Sequence, residues 1–124
     1  MKRFLNILVL LVSASFCLQA SAATFTVTST ADSGAGTLRA ALDPVTGAQD
    51  GDTINFQAGL SGTITLTTGQ MVVSHSITIS GPGANNLAVN GNASSRVFFI
   101  NSGTTVTISG LTITKGFGGG GNFA

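Results

Sequence analysis

Apolar residues in this chain recur at every second position in short runs, each closed by a turn-forming residue. Ile77-Thr78-Ile79-Ser80-Gly81 and Val106-Thr107-Ile108-Ser109-Gly110 carry the pattern in its plainest form. β-Branched residues alternating with Thr and Ser predict a strand with one buried and one hydrated face. The two copies lie about 29 residues apart, a spacing that predicts stacked coils of chain.

The same alternation places a first strand at Thr24 to Thr28, with Phe25 and Val27 on one face. Asp32-Ser33-Gly34-Ala35-Gly36 breaks it. Thr37 to Leu42 then reads as the one helix, because Leu38, Ala41 and Leu42 share a side at spacings of three and four and Pro44 stops the run. A helix this short has to be docked on something larger, and the open end of a sheet is the expected seat. Further strands are expected near Thr53 to Phe56, Thr63 to Thr67, Met71 to Val73, Ser76 to Ser80, Leu87 to Asn90, Val97 to Asn101, Thr105 to Ser109 and Leu111 to Thr114. Turn chemistry separates them, at Gly59, Gly62, Gly69, Gly81-Pro82-Gly83, Asn85-Asn86, Gly91-Asn92 and Gly103.

Strands of this length suit a sandwich or a parallel coil, and the repeat favours the coil. In a coil, Ile77, Ile79, Val106, Ile108, Leu111 and Ile113 face inward and stack in columns, while Thr78, Thr107, Thr112 and Thr114 stay hydrated. Burial at roughly 25 cal/mol per Å² then makes each coil depend on its neighbours.

Composition alters this picture mainly at the amino terminus. Lys2 and Arg3, the apolar run Phe4 to Leu18, and Ala20-Ser21-Ala22 have the order of a cleavable export signal over residues 1–22. An apolar run of about fourteen residues falls short of the roughly twenty that span a bilayer. Phe16 before Cys17 does not fit a lipid-attachment site, and Cys17, the one cysteine, would leave with the signal. The chain from Ala23 then sets Arg39, Arg96 and Lys115 against Asp32, Asp43, Asp50 and Asp52, a net charge of −1. That leaves no basic face for nucleic acid.

Five segments in order resemble one family: Phe-Thr-Val-Thr-Ser-Thr-Ala-Asp at 25–32, Thr-Leu-Arg-Ala-Ala at 37–41, Gly-Asp-Thr-Ile-Asn-Phe at 51–56, Ile-Thr-Ile-Ser-Gly-Pro-Gly at 77–83, and Ile-Ser-Gly-Leu-Thr-Ile at 108–113. The chain resembles the amino-terminal region of secreted bacterial right-handed parallel β-helix proteins, the pectate-lyase-like surface proteins related to polymorphic outer-membrane autotransporters and adhesins. Phe98-Phe99-Ile100-Asn101 is similar to the Phe-x-x-Asn element of that repeat, and Gly118 to Gly121 stands where a Gly-Gly-apolar element belongs, although the apolar residue is missing. The resemblance implies an all-β solenoid with a short capping helix, incomplete at its carboxyl end. It divides the chain into a signal at 1–22, a cap at 23–50 and first coils at 51–124.

No residue set in the chain assembles a catalytic centre. His75 is the one histidine, and on a strand its neighbours Ser74 and Ser76 would point to the face opposite it, so a solvated turn residue is the expectation. Without a cysteine or second histidine it cannot form a zinc site. Asp50-Gly51-Asp52 is the nearest approach to an acidic metal cluster, and a turn held by Asx hydrogen bonds explains it more simply. Arg39 is expected to pair with Asp43, four positions later on the same helical face. Arg96 and Lys115 are expected to be solubilising cations, and Asn90, Asn92 and Asn101 to stack as asparagine ladders at coil corners. Asn92-Ala93-Ser94 matches a glycosylation sequon too short to be specific, and Gly116 to Gly121 lacks the Lys-Ser or Lys-Thr of a phosphate loop.

The expectation is therefore an exported, non-catalytic β-helix segment of a cell-surface or secreted adhesin-like protein, with no catalytic, cofactor or metal residue of its own. Expected partners are glycans or cell-surface components, and a second copy at the uncapped end. The competing expectation is the front of a β-helix polysaccharide lyase or glycoside hydrolase whose active residues lie on other coils.

Overall fold

The computed structural model describes residues 21–118. The chain runs through β1 (Thr24–Val27), α1 (Leu38–Ala41), β2 (Thr53–Phe56), β3 (Gly62–Thr65), β4 (Met71–Val73), β5 (Thr78–Ser80), β6 (Leu87–Asn90), β7 (Phe98–Ile100), β8 (Thr107–Ser109) and β9 (Thr112–Thr114). Apart from β1 and β2, strands consecutive in the chain do not pair. Instead β1-β2-β5-β8, β3-β6-β9 and β4-β7 form three sheets in which every pairing is parallel. The chain thus visits each sheet in turn and returns one level higher, which makes a parallel β-solenoid of about three turns.

Register follows the sequence repeat. Thr78, Ile79 and Ser80 lie beside Thr107, Ile108 and Ser109, so the two copies of the repeat sit on one another. Inside the tube, Phe25, Ile54, Ile79 and Ile108 form one column across the first sheet. Ile64, Val89 and Ile113 form a second, and Met71 with Phe98 and Val73 with Ile100 begin the third side. Ile54, Ile79 and Val89, each between two stacked strands, are sealed from solvent, as is Ile64 in the same buried cluster as the cap residues.

The cap follows from local chemistry. Thr37, in extended backbone, accepts a hydrogen bond from Ala40 N at its side-chain oxygen and donates to Gly34 O at 2.7 Å, which satisfies an orphan donor of the first turn. Leu38, Ala41 and Leu42 are buried and join Val27 in the core, so α1 closes the end of the tube beside β1. Asp43 ends the helix by accepting from Val45 N and Thr46 N.

The strands are shorter than the alternation predicts where side chains take over backbone groups. Ser76 N donates to the Asp50 carboxylate and Thr105 N to Ser76 Oγ, so β5 and β8 begin only at Thr78 and Thr107. At the Gly81 and Gly110 corner, a Cβ on Gly81 would lie 2.3 Å from Gly110 O, so the stacked turns approach too closely for any side chain.

One inward residue departs from expectation in its surroundings. Ile113 keeps its place above Val89 but is 49% exposed, because no coil follows it among the described residues. Phe98, Val106, Ile108 and Leu111 in that last turn are likewise only partly buried. The export signal expected at 1–22 lies almost wholly outside the described residues, as do positions 119–121 of the glycine run and Asn122-Phe123-Ala124.

Candidate binding surface

Columns stack outside the tube as well as inside. On the first sheet Thr24, Thr53, Thr78 and Thr107 form one row running across all four strands. Two residues along, Thr26 pairs with Asn55 and Ser80 with Ser109, and the same strand offset brings the two pairs into a second row. Thr26 Oγ1 donates to Asn55 Oδ1 at 2.8 Å. All eight positions are hydroxyl or amide side chains, none is charged, and six are exposed. Strand spacing of about 4.8 Å and a two-residue rise of about 6.6 Å set the mesh of this array.

The second sheet carries a shorter version, with Thr63, Ala88 and Thr112 in one row and Thr65, Asn90 and Thr114 in the next. Beside it runs an open, uncharged groove of about 370 Å³ lined by Thr63, Asn85, Asn86 and Thr112 among others. Thr112 Oγ1 is committed there, donating to Ala84 O at 2.7 Å. The third sheet is different: Val72 and Phe99 lie side by side, about 40% exposed. Arg96 sits over the Phe99 ring at 5.2 Å and donates to Gln70 Oε1 at 3.1 Å.

A cleft of about 250 Å³ separates the cap from the third sheet, with Arg39 in its wall. Arg39 does not pair with Asp43. Its Nη2 meets Asp32 Oδ1 at 2.8 Å and Gly69 O at 2.7 Å, Nη1 donates to Gln70 O at 3.0 Å and Nε to Asp32 O at 3.2 Å. Asp43 spends its carboxylate on the turn after the helix, which is why the expected pair does not form. Burial pushes the Asp32 carboxyl up, but hydrogen bonds from Thr68, Arg39 and Thr67 and the Arg39 charge outweigh it and hold Asp32 below its ordinary value. Arg39 therefore clamps the cap to the first coil, and four acceptors already occupy its donors.

His75 is half-buried and does not stand free in solvent as expected of a turn residue. Its Nε2 lies 3.1 Å from Pro44 O and its Nδ1 3.4 Å from Asp50 Oδ1, which ties the cap to the corner before β5. The neighbouring serines serve other partners: Ser74 Oγ accepts from Asn101 Nδ2, and Ser76 Oγ accepts from Thr105 N. Asp50 accepts from Ser76 N, while Asp52 accepts from Ala23 N at 2.7 Å and Gln49 N at 2.9 Å. These two aspartates thus bind backbone donors of different segments. The Ala23 and Gln49 N–H groups hold the Asp52 carboxyl below its ordinary value.

The expected asparagine ladders do not form at the described corners. Asn90 sits between Thr65 and Thr114 and accepts from Asn92 N, and Asn101 bonds Ser74. Sequence reasoning missed Asp32 as the partner of Arg39 and Ala23 as the partner of Asp52. The contact across 7 positions matches no period of the chain, and the one across 29 follows the coil spacing, which sets Ala23 beside Asp52 without marking a backbone nitrogen as the carboxylate's partner. No helix among the described residues is long and apolar enough to cross a membrane. Comparison with known proteins matched no family model, no curated protein and no solved structure.

Proposed function

We propose that this chain is an exported, non-catalytic segment of a bacterial cell-surface or secreted adhesin-like protein of the right-handed, pectate-lyase-like class. It acts by presentation: the solenoid holds rows of hydroxyl and amide groups at fixed spacing, and neutral glycans of a partner surface hydrogen-bond along them. The observation that carries this reading is the first sheet's outward face, where Thr24, Thr53, Thr78 and Thr107 line up beside Thr26, Asn55, Ser80 and Ser109 without a charge among them. A surface of uncharged donors and acceptors suits a neutral, hydroxyl-rich partner, whose hydroxyls both donate and accept. Fixed geometry lowers the ordering cost of each contact, and repetition multiplies weak ones.

The test is binding of the secreted full chain to immobilised neutral polysaccharides, against Thr53→Lys/Thr78→Lys. Retention of the native chain and at least a tenfold loss in the double variant, with unchanged thermal stability, are expected. Absence of retention on every neutral polysaccharide, or equal retention of the variant, overturns the reading.

A further inference from the structure

Asp52 is one of two buried polar side chains among the described residues, only 7% exposed. A carboxylate in that position ordinarily has a cation beside it. No Lys or Arg pairs with Asp52 among the described residues. Its Oδ1 instead receives the backbone nitrogen of Ala23 at 2.7 Å, and its Oδ2 receives Gln49 N at 2.9 Å. The Ala23 carbonyl accepts from Thr53 N at 3.0 Å, so Ala23 is held on both sides at the entry to β1. Asp52 is itself fixed, since its carbonyl accepts from Thr78 N in the next coil. The titratable groups nearest this corner are Asp50 and His75, whose Oδ1 and Nδ1 lie 3.4 Å apart.

Ala23 follows Ala20-Ser21-Ala22, the small-residue stretch at the end of the apolar leader. We infer that Asp52 is a built receptor for a chain start at Ala23: removal of residues 1–22 creates an α-ammonium that pairs with the Asp52 carboxylate and locks β1 onto the first coil. The inference rests on the export reading for the cut itself. In that cut the exporting cell's leader-removing peptidase hydrolyses the Ala22–Ala23 bond. Water's hydroxyl goes to the Ala22 carbonyl carbon, and its proton to the Ala23 nitrogen, which takes a second proton from solvent at neutral pH. An amide N–H at 2.7 Å thereby becomes a charged donor at the same place, and the buried carboxylate gains its missing cation. Processing and completion of the fold are then one event, since the uncut chain has the hydrogen bond without the charge.

The test uses the full chain expressed with its own leader, recovered after export, beside an insertion variant with Gly-Ser between Ala22 and Ala23 and a third chain carrying Asp52→Asn. Amino-terminal sequencing locates the cut, and the rate of α-amine acylation by a small amine reagent at pH 7 reads the ion pair. The expected result is a start at Ala23 with an α-amine about tenfold less reactive than that of the insertion variant, a factor equal to a one-unit rise in amine pKa. Asp52→Asn restores the reactivity. The native chain also unfolds at higher temperature than the insertion variant below the amine's titration, and this gap closes as pH rises through the raised amine value. A start at Ala23 with an amine as reactive as that of the folded insertion variant overturns the lock and leaves the export reading standing. A start elsewhere, or an intact leader, overturns both. The insertion variant retains Asp52, so the comparison holds even where Asp52→Asn does not fold.

Discussion

Arg39 is the side chain whose role changed most between chain and fold. Helical spacing pairs it with Asp43, yet the guanidinium reaches Asp32, Gly69 and Gln70, because a planar fork can join a carboxylate and two carbonyls of different segments at once. Arg39→Ala leaves the Gly69 and Gln70 carbonyls unpaired, and a loss of about 2–3 kcal/mol in urea unfolding is expected, in line with hydrogen bonds to charged groups. Arg39→Lys is expected to fall between, since it keeps the charge and loses the fork. A change within error for Arg39→Ala would show that the clamp adds nothing to the cap.

At the scale of the element, strands here stabilise one another only through stacking. Each has three or four residues, too few to stand alone, and β2 to β6 bury alternate side chains against the equivalent positions of neighbouring coils. Ile79 lies mid-column between Ile54 and Ile108 and is fully buried, whereas Ile113 ends its column half exposed. Ile79→Ala is therefore expected to cost about 3 kcal/mol, from lost transfer energy and the cavity left behind. Ile113→Ala is expected to cost about 1 kcal/mol or less, since much of that side chain is already hydrated. Paired chemical denaturation curves check the contrast, and equal losses would mean that the third turn's columns are covered.

For the whole molecule, the aspartates rather than any cation cluster set the response to pH. Asp32, Asp43 and Asp52 all sit below their ordinary value: at Asp32 burial is outweighed by its hydroxyl and guanidinium partners, and the others are held by backbone N–H donors. A carboxyl with a depressed folded value stabilises the fold above its unfolded pKa of about 3.9 and loses that contribution as pH falls through the folded value. The urea midpoint is expected to fall progressively below about pH 5, and Asp32→Asn should flatten part of that fall. An unchanged midpoint down to pH 2 would mean that these hydrogen bonds do not favour the charged form in solution.

The alternation of Ile and Thr and the spacing between its copies were sufficient to specify strands, inward columns and a stacked coil, because a period of two and a repeated coil are both written along the chain. Met71–Val73 and Leu87–Asn90 were legible to the residue, and the helix to within one residue at each end. What the tertiary structure alone decided are the contacts between segments unrelated by the repeat. It chose Asp32 over Asp43 for Arg39 and joined His75 to the cap. It also fixed the lateral order of the threonine rows, whose members lie one coil apart along the chain and side by side on the sheet. Periodicity records what each residue faces; only the closing of the coil determines which distant polar groups come within hydrogen-bonding reach, because that depends on the path of the turns between strands.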